Sequence, residues 1–236
     1  MTDTAIALAD TDDMVGLHRV FRQAVGDAAQ HIASVPSGDG GRAELVASYF
    51  ENVLRLLHAH HHGEDLLLTP RLLQRRPEQA DTITAVAAQH QQVDAALQRV
   101  TPLIDSWRTD PSADTAATLT RAMTELDVRL SEHLDAEETQ VLPIAAQCIT
   151  APEWNEMPEH GLRSFDGDKL WLVLGLIGEQ QSPAQRAEMA EHLPAPLAQM
   201  WNNGGARQFA DYVDTLRSPQ ARETADPGAT AAMTET

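Results

Sequence analysis

The chain is poor in cysteine, in basic residues and in long apolar runs. Its single cysteine, Cys148, leaves no partner for an internal disulfide and fits a reducing compartment. Lysine and arginine number 17 against 35 acids, a formal net charge of −18. Such a chain lacks the basic face that displaces counterions from nucleic acid or from an anionic membrane. The most apolar run, LWLVLGLIG at 170–178, is about half as long as a membrane-spanning helix requires. The N-terminus, MTDTAIALADTDD, has neither the basic region nor the apolar core of a secretory signal. Sustained alternation of β-branched and aromatic residues, the mark of strands, is nearly absent as well. What remains is a cytoplasmic helical protein, expected to bind neither nucleic acid nor membrane. At 42% hydrophobic residues in 236, it has enough apolar material for a real core.

Four stretches repeat apolar residues at alternating steps of three and four, the period of a bundle helix. The first runs through Met14, Phe21, Val25, Ala28 and Ile32 to the breaker PSGDGG. The second carries Val46, Tyr49, Val53 and Leu56. The third follows Pro77 and carries Ile83, Val86, Val93, Leu97, Val100 and Ile104. The fourth carries Ala116, Leu119, Met123, Leu126 and Leu130. Short connectors between long helices predict antiparallel neighbours, hence an all-α, up-down-up-down four-helix bundle over 10–148.

A histidine interrupts each seam. His18 falls between Met14 and Phe21, His60 one step after Leu56, His90 between Val86 and Val93, and His133 one step after Leu130. A buried imidazole needs a hydrogen-bond partner or a metal, because an unsatisfied polar group in a core costs kilocalories. Two of the four are followed at i+4, on the same helix face, by a glutamate: His60 by Glu64 and His133 by Glu137. The match is wider, since HHHGEDLLLTP at 60–70 aligns with HLDAEETQVLP at 133–143, each with a second acid (Asp65, Glu138) and a later proline. His18 and His60 are 42 residues apart, His90 and His133 43. The chain reads as two helical hairpins of one pattern, which would converge four imidazoles and two carboxylates at one level of the core. Imidazole suits iron, zinc or copper, and a carboxylate can bridge two ions.

With these motifs residues 10–148 resemble a hemerythrin-like, or HHE cation-binding, domain. The resemblance implies a four-helix bundle around two Fe ions in an Fe–O–Fe centre that reacts with O2, H2O2 or NO. It implies Glu64 and Glu137 as bridging carboxylates, His18 and His60 on one iron, and His90 and His133 on the other. The oxygen-carrying members have two histidines one turn apart on the third helix, whereas Val86 and Asp94 flank His90 at one turn here. Asp94 either fills that place or stands solvated one step off the seam. The second motif also has a four-residue step where the carriers use five. Both departures point to a more open site, favouring turnover such as peroxide breakdown over reversible oxygen carriage. Non-catalytic binding, storage or sensing of O2, NO or iron is the alternative, and a structural bundle with zinc or no metal a third.

Within HAHHHGED, His60 is preferred as the ligand because of its seam position and its match to His133, with His61 its competitor on a neighbouring row. His58 and His62 fall on other faces. Tyr49, three turns before His60, is expected to pack in the core, with a hydrogen bond to a metal ligand the less favoured role. Met14 and Met123 read as core fillers and Cys148 as inert. From 149 to 218 the sequence predicts a helical extension: an irregular stretch opened by Pro152, then helical pieces at LWLVLGLIG, 183–192 and ARQFADYVDTLR. Trp154, Trp171 and Trp201 require this region to bury surface, most simply on the bundle. His160, in PEHG, reads as a surface-turn residue, with capping of the metal-site entrance the alternative. Residues 219–236 are small and polar and read as a disordered tail.

Overall fold

A computed structural model of the chain describes residues 7–218; the expected tail at 219–236 lies outside them. The first rod of the bundle is α1 (Asp12–Gly26) and α2 (Ala28–Ala33), the second α3 (Gly40–Gly63) and α4 (Thr69–Arg75). The third is α5 (Ala80–Ala87) and α6 (Gln89–Thr109), and the fourth α7 (Ala113–Ala136) and α8 (Leu142–Cys148). The turn between rods one and two uses Gly38 at φ 85, a conformation that a side chain would strain. Asp39 then caps α3 by accepting from the Arg42 amide at 2.9 Å.

Each rod passes through two apolar clusters and crosses a polar layer between them. Phe21, Leu57, Val93 and Leu130 belong to the larger cluster, and Met14, Leu68, Val86 and Val141 to the smaller. Along rod one the chain goes from Met14 to Phe21, along rod two from Leu57 to Leu68, along rod three from Val86 to Val93, and along rod four from Leu130 to Val141. The order of clusters reverses at each rod, so the directions alternate. Helix α1 packs on α3 and α7, and α6 on α3 and α7, which closes the square. The fold is the all-α, up-down-up-down bundle. The seam histidines occupy the polar layer.

Rods two and four share a local departure from α-helix. At Glu64–Leu68 and again at Glu137–Val141 the backbone opens into one wide π turn, with the amides of Thr69 and Leu142 donating to the carbonyls of Glu64 and Glu137. The cause is in the sequence. Pro70 and Pro143 follow each glutamate by six residues, and a proline offers no N–H and crowds the carbonyl four residues back. Widening the turn relieves that clash. Such turns are frequent at functional sites.

Residues 151–164, expected to be irregular, form helix α9 (Ala151–Ser164). Pro152 is a first-turn residue rather than a breaker, and Thr150 with Glu153 forms a capping box. Helix α9 packs on α3 and on the π turn at Glu64, and buried Trp154 donates to Asp13 of α1 at 3.0 Å. Next come α10 (Leu170–Glu179), α11 (Pro183–His192), α12 (Ala195–Met200) and α13 (Ala206–Arg217). Helix α10 lies against α1 and α3 and carries α13 on its outer side. Gly175 is required there, because a Cβ would collide with the Phe209 ring. No described helix is long and apolar enough to cross a membrane.

Candidate metal centre

The polar layer contains seven side chains, none more than 8% exposed: His18, His60, His61, Glu64, His90, His133 and Glu137. They fall into two groups, each with ligand atoms within 4.8 Å of one another. His18, His60, Glu64 and Glu137 form one, and His61, Glu64, His90 and His133 the other. Glu64 belongs to both, its Oε1 3.3 Å from His60 Nε2 and its Oε2 3.4 Å from His90 Nε2. Glu137 also faces both ways, its Oε2 3.4 Å from His18 Nε2 and 3.7 Å from His133 Nε2. Within the second group the rings crowd, with His61 stacked on His90 at 4.4 Å and His133 edge-on to both.

Of the residues singled out in the sequence, His18 and His60 meet on one side and His90 and His133 on the other, with Glu64 and Glu137 between. His60 and His61 are not competitors. Successive helix residues point about 100° apart, so α3, lying between the two groups, sends one imidazole into each. His61 gives the second group a third imidazole beside His90 and His133. Asp94 does not join them: its carboxylate lies 3.7 Å from His58 Nδ1, outside both groups. Tyr49 is outside them too, packed against His31 and Phe50. His160 sits on α9 rather than in a turn, with Nε2 3.0 Å from His62 Nδ1 and 3.0 Å from Ser164 Oγ. Cys148 donates to the Ile144 carbonyl within its own helix.

Two residues whose role the sequence did not disclose complete the layer. The Asp65 carboxylate is 2.8 Å from His90 Nδ1, and that of Glu138 is 2.9 Å from His18 Nδ1. Each acid follows the inward glutamate of one hairpin and holds the first histidine of the other. In the neutral tautomer in which Nδ1 donates outward to these acids, Nε2 would present its lone pair inward. The available signal was the repeated second acid of HHHGED and HLDAEE.

Electrostatics match this arrangement. Burial pushes His60 down to about 4 and His133 down to about 3, and holds His61 well below the ordinary imidazole value. All three are neutral at pH 7, with lone pairs free. Burial would also lower His90, but the carboxylates of Glu64 and Asp65 outweigh it and raise the ring. At Glu64 burial opposes ionisation, yet His60 and His90 prevail and hold the carboxyl below its usual range. Glu137 is pushed well above that range by burial and by the Glu64 carboxylate beside it.

The residues fit a pair of metal ions. Buried atoms without a hydrogen-bond partner include His18 Nε2, His60 Nε2, both ring nitrogens of His61 and of His133, both oxygens of Glu64 and Glu137 Oε2. So many orphaned atoms in one core layer would cost heavily unless something satisfied them. Their separations of 3.3–3.7 Å are long for hydrogen bonds but within the span of two metal–ligand bonds of about 2.0–2.2 Å.

A four-helix bundle with histidines and shared glutamates across its middle defines a metal-binding helical protein. The model of one such family, the hemerythrin HHE cation-binding domain, matches residues 9–145, and the chain belongs to that family. Comparison with curated proteins and with solved structures finds no match.

Proposed function

We propose that the chain holds two iron ions in this layer and uses them on a small oxygen or nitrogen species, with hydrogen peroxide breakdown the leading reaction. The observation that carries this reading is the pair of ligand groups sharing Glu64, each with at least two buried imidazoles. His18 and His60 would hold one ion, His61, His90 and His133 the other, and Glu64 and Glu137 would serve both. Bound iron supplies redox and Lewis-acid chemistry. The chain's own contribution is to fix donors, balance charge and restrict access. Asp65 and Glu138 orient His90 and His18, and the two glutamates supply negative charge. Beside Glu64, His90 and Glu137 there is a cleft of about 10 Å³ walled by Leu68, Ile83, Val86 and Val141, room for about one water.

Peroxide breakdown needs no further co-reactant, since one peroxide is oxidised to O2 while another is reduced to water. A second reading, reversible binding without turnover, draws support from His61. The expectation of an open site rested in part on a missing imidazole, and His61 would supply a further imidazole to that group. The His18–His60 side still has one imidazole fewer, so an incoming ligand has its place there. The test is metal analysis of untagged protein together with oxygen evolution from peroxide. Two irons per chain, many turnovers and loss of both in His60→Ala support the catalyst. Two irons with reversible oxygen uptake and no turnover support the binder. One zinc, or no metal in folded protein, would overturn both.

A further inference from the structure

A second feature lies about four to six turns of α3 away from Glu64, where the extension covers the bundle. There α2, the start of α3 and α13 line a partly open cavity of about 330 Å³, with His31, Arg42, Tyr49 and Arg217 among its walls. Arg42 is 4% exposed, and among the described residues no carboxylate lies within 4 Å of its guanidinium. Its Nη atoms donate to the carbonyls of Thr215, Leu216 and Ser218 and to Ser34 Oγ. Its Nε has no partner. The carbonyls at the end of α13 carry only partial negative charge, so they offset the buried cation incompletely. Tyr49, 4% exposed, lines the same cavity. Arg217 lines the same cavity and is held by Glu179 through two contacts of 2.8 and 2.7 Å. One carboxylate, Asp27, stands against these two guanidiniums in the lining.

We propose that this cavity is a binding site for a small carboxylate, which takes its charge complement from Arg42, a hydrogen bond from Tyr49 and contact with the His31 ring. A guanidinium fork with a free N–H suits a carboxylate oxygen. The cavity is larger than a bare ion needs, which leaves room for a body behind the carboxyl. Two sources share this chemistry: a free organic acid, or an acidic side chain from 219–236, where Glu223, Asp226 and Glu235 follow the last described residue.

The experiment is calorimetric titration of the full chain, as purified, with acetate and benzoate, and with benzamide as the uncharged match to benzoate. Each titration is repeated on the full chain carrying Glu223→Gln, Asp226→Asn and Glu235→Gln. Saturable one-to-one binding of a carboxylate, at least tenfold tighter than benzamide, is expected in one or both proteins. Equal binding in both identifies a free acid, and binding only after the substitutions identifies the chain's own carboxylates. Gln30→Trp, at an exposed position lining the cavity, should weaken binding at least tenfold without touching Arg42. Arg42→Gln should do the same with helical content retained. If that variant does not fold, Gln30→Trp decides alone. No saturable binding in either protein would make Arg42 a cap for α13 only and overturn the site. So would binding that Gln30→Trp leaves unchanged, since an acid bound at the histidine layer is insensitive to that change.

Discussion

At the scale of single residues, the layer is built from inward glutamates and outward orienting acids. An orienting acid touches no ligand group except through the imidazole it holds, so its loss should loosen metal without emptying the core. Asp65→Asn and Glu138→Gln keep size and remove charge, and each is expected to weaken iron binding by about 10–100-fold. Chelator competition measures the loss, and the circular dichroism spectrum should stay helical. His61→Ala is expected to do more. It removes an imidazole from one group only, so iron should fall towards one per chain, while the exposed neighbour His62→Ala leaves two. Two irons retained in His61→Ala would sink the assignment of five histidines. Periodicity in the sequence reached His61 only as the rival of His60 on a neighbouring row, because it chooses one inward row per helix. Helix α3 lies between two groups and points adjacent residues into both. Asp65 and Glu138 were visible as a repeat, but their function is a contact between hairpins that spacing within one helix does not reveal.

At the scale of elements, the wide turns are the feature most directly traceable to sequence. If Pro70 opens the turn at Glu64, Pro70→Ala supplies an N–H and removes the crowding, and the segment should relax towards regular α-helix. The turn then loses its extra residue and Glu64 is displaced from the two imidazoles it faces. Expected is a loss of iron at least as large as in Asp65→Asn, with only about 1 kcal/mol of destabilisation from the freer unfolded chain. Unchanged iron content would mean that tertiary contacts, not Pro70, set the turn. The same proline logic misled at Pro152, which looks like a breaker in a stretch with weak periodicity. Its meaning depends on Thr150 and Glu153, a four-residue pattern that marks a start. Docking of α13 was illegible for a different reason: it rests on Gly175 beside Phe209 and on Arg42 reaching Thr215, pairs distant in sequence. Gly175→Ala should therefore lower the melting temperature and expose Trp171, which packs edge-on to Tyr212 at 5.4 Å, to quenching. The histidine layer should keep its iron.

At the scale of the whole molecule, a core split by a polar layer makes stability depend on what fills that layer. A ligand that binds only the folded chain stabilises it by about 4 kcal/mol at a thousand times its Kd. For a domain of this size that corresponds to roughly 10 °C in melting temperature, so chelation should lower the midpoint by about that much. The metal-free protein should then become sensitive to acid, and the sign follows from its titrating groups. His60 and His133 fall to about 4 and about 3 when folded, and His61 is depressed as well, against about 6.5 in an unfolded chain. Below about pH 6.5 the unfolded chain therefore binds protons that these three folded rings refuse, and stability drops as pH falls towards the folded values. His90 and Glu137 are raised and act in the opposite sense: their stabilising effect is present at low pH and lost as pH rises. The depressed rings outnumber the raised groups, so acidification through the ordinary imidazole range favours the unfolded chain on balance. Urea titrations of metal-free protein at pH 7 and pH 5.5 should thus differ, the acid sample being weaker. Iron-loaded protein should be nearly flat over the same interval, because coordinated imidazoles take up no protons until the metal leaves. Metal-free protein that gains stability on acidification would mean that the carboxylates, not the buried imidazoles, govern the layer.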